Sequence, residues 1–160
     1  MSNTPHASIL IVDDRPENLL ALKGALEAMD CTIFTATSGQ EALQLSLNHH
    51  FDLALIDVQM PSMDGFELAE LLRGKKETRD LQIIFITAIS KEQKYIEHGY
   101  EVGAINYLFK PIDPDELRNK VNVALKWSKY HKTLETLNAG GKFPAQKNIP
   151  RKTPGIERLD

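Results

Sequence analysis

The chain has a single cysteine, Cys31, so no disulfide can form within it and nothing in the composition asks for an oxidising compartment. No apolar run approaches the roughly 18–20 residues that a membrane-spanning helix needs. The opening Met1-Ser2-Asn3-Thr4-Pro5-His6 lacks the basic segment and apolar core of a secretory leader. These absences predict a cytoplasmic protein with no membrane partner. Charge of one sign is not in excess either: the formal net charge of -3 is too small to suggest nucleic acid as a partner. Its distribution is uneven, with 13 Lys+Arg against 19 Asp+Glu in residues 1–130 and 6 against 3 in residues 131–160. The basic C-terminal stretch reads as a solvated tail.

What is present is a repeated alternation. Within 160 residues, enough to bury the core of one domain, five short apolar runs predict strands near 8–13, 31–36, 51–57, 82–87 and 105–109. Each run is almost continuously apolar or β-branched, the pattern of strands covered on both faces. Between and after them, helical patterns fall near 16–29, 38–49, 65–74, 90–101 and 114–136. Ser38 with Glu41, Ser90 with Gln93 and Asp64 with Glu67 have the spacing of capping boxes or the Asp variant. Pro16 and Pro114 suit first helical positions.

Five strand–helix repeats predict an open, doubly wound α/β domain with a five-stranded parallel sheet. The order 2-1-3-4-5 is preferred because it lays side by side the strands that end in Asp13, Asp57, Thr87 and Lys110. Asn138-Ala139-Gly140-Gly141 ends the last helical pattern, and Pro144, Pro150 and Pro154 punctuate the remaining stretch. The expected layout is an N-terminal arm at 1–7, a domain at 8–137 with an extended last helix, and a disordered basic tail at 138–160.

The strand ends carry the chemistry. Asp13 and Asp14, Asp57, Thr87 and Lys110 each come after an apolar run, and in a parallel sheet they meet at its carboxyl edge, where open α/β sheets bind ligands. Carboxylates crowded there repel unless a cation sits among them. Mg²⁺ suits such a place, with Asp14 and Asp57 as candidate direct ligands, Asp13 holding a bound water, and the backbone carbonyl of Gln59 adding another oxygen. Asp57, between metal and ammonium, is a candidate nucleophile toward a phosphoryl group. Lys110 would supply charge and the Thr87 hydroxyl a hydrogen bond to a phosphoryl oxygen.

Four segments together carry a resemblance: Ile9-Leu10-Ile11-Val12-Asp13-Asp14, Asp57-Val58-Gln59-Met60-Pro61-Ser62-Met63-Asp64-Gly65, Ile86-Thr87-Ala88 and Tyr107-Leu108-Phe109-Lys110-Pro111. From about Ser8 to Tyr130 the chain resembles the receiver domain of two-component response regulators, a flavodoxin-like fold. The resemblance implies phosphorylation of Asp57 by a histidine kinase or phosphotransfer protein. It implies that Asp13 and Asp14 hold Mg²⁺, that Lys110 contacts the acyl phosphate, and that Lys110-Pro111 is a cis peptide. It also implies that Thr87 and Tyr107 act as switch residues, biasing the surface of helix four, strand five and helix five toward a downstream protein target.

In the last helix, Leu117, Val121 and Leu125 should pack on the sheet. A second stripe, Val123, Trp127, Tyr130, Leu134 and Leu137, has coiled-coil spacing and suggests a homodimer or a connector. His6, His49, His50, His98 and His131 show no ligand spacing and are expected at the surface. Gln59 and Ile89 flank the site, and an apolar Ile89 offers no help in aligning a hydrolytic water. A haloacid-dehalogenase-type phosphohydrolase is the competing class, but it needs an acid two residues after its nucleophile. Here Arg15 stands at that distance from Asp13 and Gln59 from Asp57. The expectation is therefore a non-enzymatic, phosphorylation-controlled module, either independent or cut from a larger hybrid kinase or regulator.

Overall fold

The computed structural model describes residues 6–88, 93–101, 103–104 and 106–139. Its elements alternate as β1 (Ala7–Val12), α1 (Pro16–Leu26), β2 (Cys31–Ala36), α2 (Gly39–Asn48), β3 (Leu53–Asp57), α3 (Gly65–Arg73), β4 (Gln82–Thr87), α4 (Gln93–Glu101), β5 (Asn106–Phe109) and α5 (Pro114–Ala139). The strands form one parallel sheet in the order β2-β1-β3-β4-β5. This is the order expected from the polar strand ends.

Every residue of β3 and β4 is buried, which explains why both read as unbroken apolar runs. Strand alternation divides their side chains between two cores. Leu10, Ala54, Ile56, Ile83, Phe85 and Tyr107 share one with Leu68 and Leu72 of α3. Ile9, Ile11, Leu53, Leu55, Ile84, Ile86 and Leu108 share the other with Leu19, Leu22 and Leu26 of α1 and Leu117 and Val121 of α5. Each fully buried Leu or Ile removes enough apolar surface from water to stabilise the fold by about 1.5–3 kcal/mol.

Local signals set the helix starts. The Ser38 hydroxyl accepts from the Glu41 amide at 3.0 Å, while the Glu41 carboxylate turns to Thr37 instead. Asp64 and Glu67 form a complete capping box at α3. At α1, Pro16 occupies the first turn and the cap residue, Arg15, contributes no side-chain bond. Asp113 accepts from the Glu116 amide at the start of α5. Ser90 and Ile89 lie outside the described residues.

Several boundaries move. β1 begins at Ala7, paired with Cys31, so the expected arm loses its last residue to the sheet. α1 stops at Leu26 rather than near residue 29. Glu27 and Met29 there bond back only three residues, to the Gly24 and Leu26 carbonyls, turning the chain toward β2. Phe51 and Asp52 precede β3 as an anchor: the Asp52 amide donates to the Ser8 carbonyl and the Ser8 amide to the Asp52 carboxylate, both at 2.8 Å. α5 continues through Asn138 to Ala139; the remainder of the expected tail, and residues 1–5, lie outside the described residues. His6, His49 and His50 are exposed, but His98 is half-buried with its ring edge-on to Phe66, and the side chain of His131 is not described.

The chain divides into two units, Met1–Leu125 and Lys126–Asp160. Within the first unit α5 is held by three side-chain bonds to backbone. Arg118 donates to the Ala25 carbonyl, Lys120 to the Tyr107 carbonyl, and the buried Gln82 to the Ala124 carbonyl. Of the second unit, residues 126–139 are described and all are helical. Arg73 forms another clamp, donating to the carbonyls of Arg79, Leu81 and Gly103. Gly103 has φ +94°, a backbone conformation that favours glycine, and the Arg73 guanidinium lies against it.

Two glycines make a matched test of the packing. A Cβ on Gly65 would meet the Asp57 carbonyl oxygen at 2.5 Å and Val58 Cα at 2.8 Å, whereas one on Gly24 would meet nothing within 4 Å. Gly65→Ala should cost about 1–3 kcal/mol by forcing α3 off the end of β3. Gly24→Ala, inside α1, should add about 0.5–1 kcal/mol. Urea unfolding of both variants beside the parent measures the two signs; equal effects would contradict the close approach of α3 to β3.

Candidate functional site

Sheet register brings the strand ends together before any side chain is considered. Val12 pairs with Ile56, Asp57 with Ile86, and Thr87 with Phe109. Two backbone bonds extend this past the strands: Val58 donates to the Ile86 carbonyl at 3.0 Å and Lys110 to the Thr87 carbonyl at 2.9 Å. Asp13 does the same on the other side, donating to the Ala36 carbonyl. The residues after β1, β3, β4 and β5 are thus fixed relative to one another by main-chain bonds.

Of the polar strand ends, the three aspartates and the lysine come together. Asp13, Asp14 and Asp57 each present a carboxylate oxygen, and these oxygens lie within 4.8 Å of one another. Lys110 Nζ stands 3.4 Å from Asp57 Oδ1 and 3.7 Å from Asp13 Oδ2. Asp13 and Asp57 are buried, and Thr87 is fully so; Asp14 and Lys110 are half-buried. The Lys110-Pro111 peptide is cis, in agreement with the expectation drawn from the family resemblance.

Burial pushes the Asp57 carboxyl up to about 6, with the Asp13 charge adding to the push. Lys110 pulls the other way, and Asp14 contributes a smaller upward push. One ammonium does not offset three clustered carboxylates, so the site carries an excess of buried negative charge. Asp13 is held more closely than its neighbours. Its Oδ1 accepts from the Arg15 amide at 3.0 Å, and the Asn18 side-chain amide donates to both of its oxygens at 3.2 Å. The pattern of strand ends did not single out Asn18; its place in the first turn of α1, five residues after Asp13, was the available signal.

Gln59 lies on the β3–α3 loop with its side chain exposed. It borders a surface depression of about 520 Å³ lined also by Val58, Met60, Pro61, Asp64 and Phe66. In the same loop Ser62 takes φ 69°, closing a tight turn in which the Met63 amide donates to the Pro61 carbonyl. Tyr107 lies on the other side of β4. Its ring is buried near Phe85, Tyr100 and Phe109, and its hydroxyl donates to the Ile96 carbonyl of α4 at 3.2 Å.

Comparisons with known proteins agree with this arrangement. The family model for the response regulator receiver domain matches residues 9–122. A probable cyclic di-GMP phosphodiesterase of Vibrio cholerae is 33% identical over 126 residues, covering 79% of this chain and 28% of that protein. The transcriptional regulatory protein SrrA of Staphylococcus aureus is 38% identical over 118 residues, covering 74% of this chain and 47% of its own length. The chain therefore spans about half or less of the length of these curated relatives. The solved structure of chemotaxis protein CheY4 of Vibrio cholerae superposes with a TM-score of 0.72 at 29% identity, covering 76% of this chain and 100% of that one. A match that takes in well over half of the chain, on a sheet of this order, makes the assignment plain: the chain belongs to the response regulator receiver domain family.

Proposed function

We propose that this receiver is a Mg²⁺-dependent phosphoacceptor whose Asp57 takes a phosphoryl group from a histidine kinase or a histidine phosphotransfer protein. The observation that carries the reading is the buried Asp57 carboxylate, grouped with Asp13 and Asp14 and faced by Lys110 at 3.4 Å. The donor set fits a hard divalent cation: all oxygen, few protein carboxylates, and a net negative charge that one lysine leaves uncompensated. Asp13, Asp14, Asp57 and the Gln59 carbonyl would hold Mg²⁺, which when bound supplies positive charge to the phosphoryl oxygens.

The protein's own groups do the rest. An Asp57 carboxylate oxygen bonds to phosphorus as the donor's P–N bond breaks, giving an acyl phosphate. Lys110 neutralises one phosphoryl oxygen, and the Thr87 hydroxyl donates to another. The modification replaces the single carboxylate charge by the roughly double charge of an acyl phosphate and brings three acceptor oxygens to one point. Thr87 and Tyr107 respond together, biasing the surface formed by α4, β5 and α5 toward a downstream protein. Residues 7–139 act as the receiver with its extended helix, in the cytoplasm, and catalyse no turnover of a separate substrate. In the longer relatives the named activities belong to whole proteins of which a segment like this one is a part.

With Mg²⁺ and acetyl phosphate, Asp57→Asn should lose all Phos-tag-detected labelling; labelling at the parent level would remove Asp57 as the acceptor. In EDTA, the parent holds the Asp57 proton up to about pH 6 when folded but only to 3.8 when unfolded. The folded state thus binds more protons in that window, and stability falls as pH rises through it. Relative to Asp57→Asn the parent should lose up to about 3 kcal/mol between pH 4 and 7, and Mg²⁺ should restore it. A pH-independent difference in unfolding midpoint would argue against the buried charge.

Helix α5 favours a second element of the reading, pairing of two chains. Val123 and Trp127, four residues apart, are 67% and 52% exposed. The stripe continues in sequence through Tyr130, Leu134 and Leu137 at coiled-coil spacing. Sedimentation of beryllofluoride-treated parent should reveal a dimer that Trp127→Glu abolishes. Identical monomeric profiles at high concentration would remove the pairing.

A further inference from the structure

We infer that Asn18 is a positioning residue for the metal site, acting through Asp13. The inference rests on the Mg²⁺-binding reading above and concerns how the carboxylates are kept available to a cation. Asp13 is 1% exposed, and burying a polar group costs folding free energy unless it is hydrogen-bonded. Its Oδ1 is occupied by the Arg15 amide and by Asn18, while its Oδ2 takes the second branch of the Asn18 bond and faces Lys110. A carboxylate can only accept, so the Asn18 side chain must turn its NH₂ toward it.

The neutrality of that donor matters. An amide relieves the cost of burying Asp13 without cancelling its charge, so the full negative charge stays available to a cation. An ammonium or guanidinium in the same place would satisfy the carboxylate and compete with the metal. Loss of the amide leaves Asp13 facing Lys110, whose ammonium is already 3.7 Å from Asp13 Oδ2. The carboxylate would turn toward it and draw the ammonium away from Asp57. Asn18 therefore fixes both the direction of the Asp13 oxygens and the sharing of Lys110 between two aspartates. Groups that orient a metal ligand from behind commonly change metal affinity by roughly 10–100-fold when removed.

Asn18 is half-buried in the first turn of α1, and its side chain is not the cap of that helix. A structural role alone would change the unfolding midpoint in EDTA and leave Mg²⁺ affinity untouched, which separates the two. Asn18→Ala and the similarly sized Asn18→Leu are compared with the parent by titration calorimetry with MgCl₂, and by initial labelling rates with acetyl phosphate across a range of Mg²⁺. Both variants should bind Mg²⁺ about 10–100-fold more weakly. Their labelling rate should return to the parent's maximum when Mg²⁺ is raised by the same factor, with the KM for acetyl phosphate unchanged. Folded variants whose Mg²⁺ isotherms overlay the parent's would overturn the inference while leaving the phosphoacceptor reading intact. So would a labelling defect that excess Mg²⁺ does not correct. Absence of Mg²⁺ binding by the parent itself would remove both.

Discussion

Three carboxylates and one ammonium gathered at one end of the sheet, with Asp13 and Asp57 buried, are the constraint on which the rest of the structure turns. Asp13 and Asp57 compete for Lys110, and neither comes closer to it than 3.4 Å. The Asp57 carboxyl, pushed up to about 6, records its burial first and the neighbouring Asp13 charge second. A protein optimised only for stability would have no use for this arrangement, because a buried charge excess costs folding free energy. On the proposed function, the site accepts positive charge and then a phosphoryl group, each arrival relieving or redistributing what the fold holds in place.

The fold can hold it because the groups are fixed by backbone. Parallel strands deliver their ends in one direction, and the Val58 and Lys110 amides continue the sheet's hydrogen bonds beyond the last strand residues. Gly65 lets the first turn of α3 press against the Asp57 carbonyl and Val58, so the Asp57 backbone cannot retreat. Behind it stand two apolar layers whose side chains alternate along the same strands. Preorganisation of this kind means that little rearrangement is needed when charge arrives.

Much of this was legible in the residues. β3 and β4 are buried at all positions, so their unbroken apolar runs marked both their existence and their polar ends. The strand order came from asking which arrangement unites Asp13, Asp57, Thr87 and Lys110. Helix ends were harder. α1 stops at Leu26 because the chain must turn to reach Cys31, which depends on the distance to β2 and not on any breaker residue. α5 passes through Asn138, a weak helix former that is still no barrier. Contacts made across the fold left no local trace at all. Nothing near Arg73 announces that its guanidinium will bond three carbonyls from two segments, and nothing near Tyr107 announces Ile96 as the partner of its hydroxyl.

Strand β5 shows how the site connects to the surface. It lies at the edge of the sheet, so only β4 supports it through main-chain pairing. The Tyr107 amide is bonded instead by the Asn106 side chain at 2.9 Å, and the Tyr107 carbonyl by Lys120 of α5 at 2.8 Å. Its ring reaches the other way, to the Ile96 carbonyl of α4. Three residues further on, the same strand delivers Lys110 to the aspartates. A short edge strand paired on one side is less constrained than β3, which is paired on both. On the proposed function, any pull on Lys110 by a phosphoryl group acts on this segment. The bonds it would strain first are those holding Tyr107 between the two helices of the output surface.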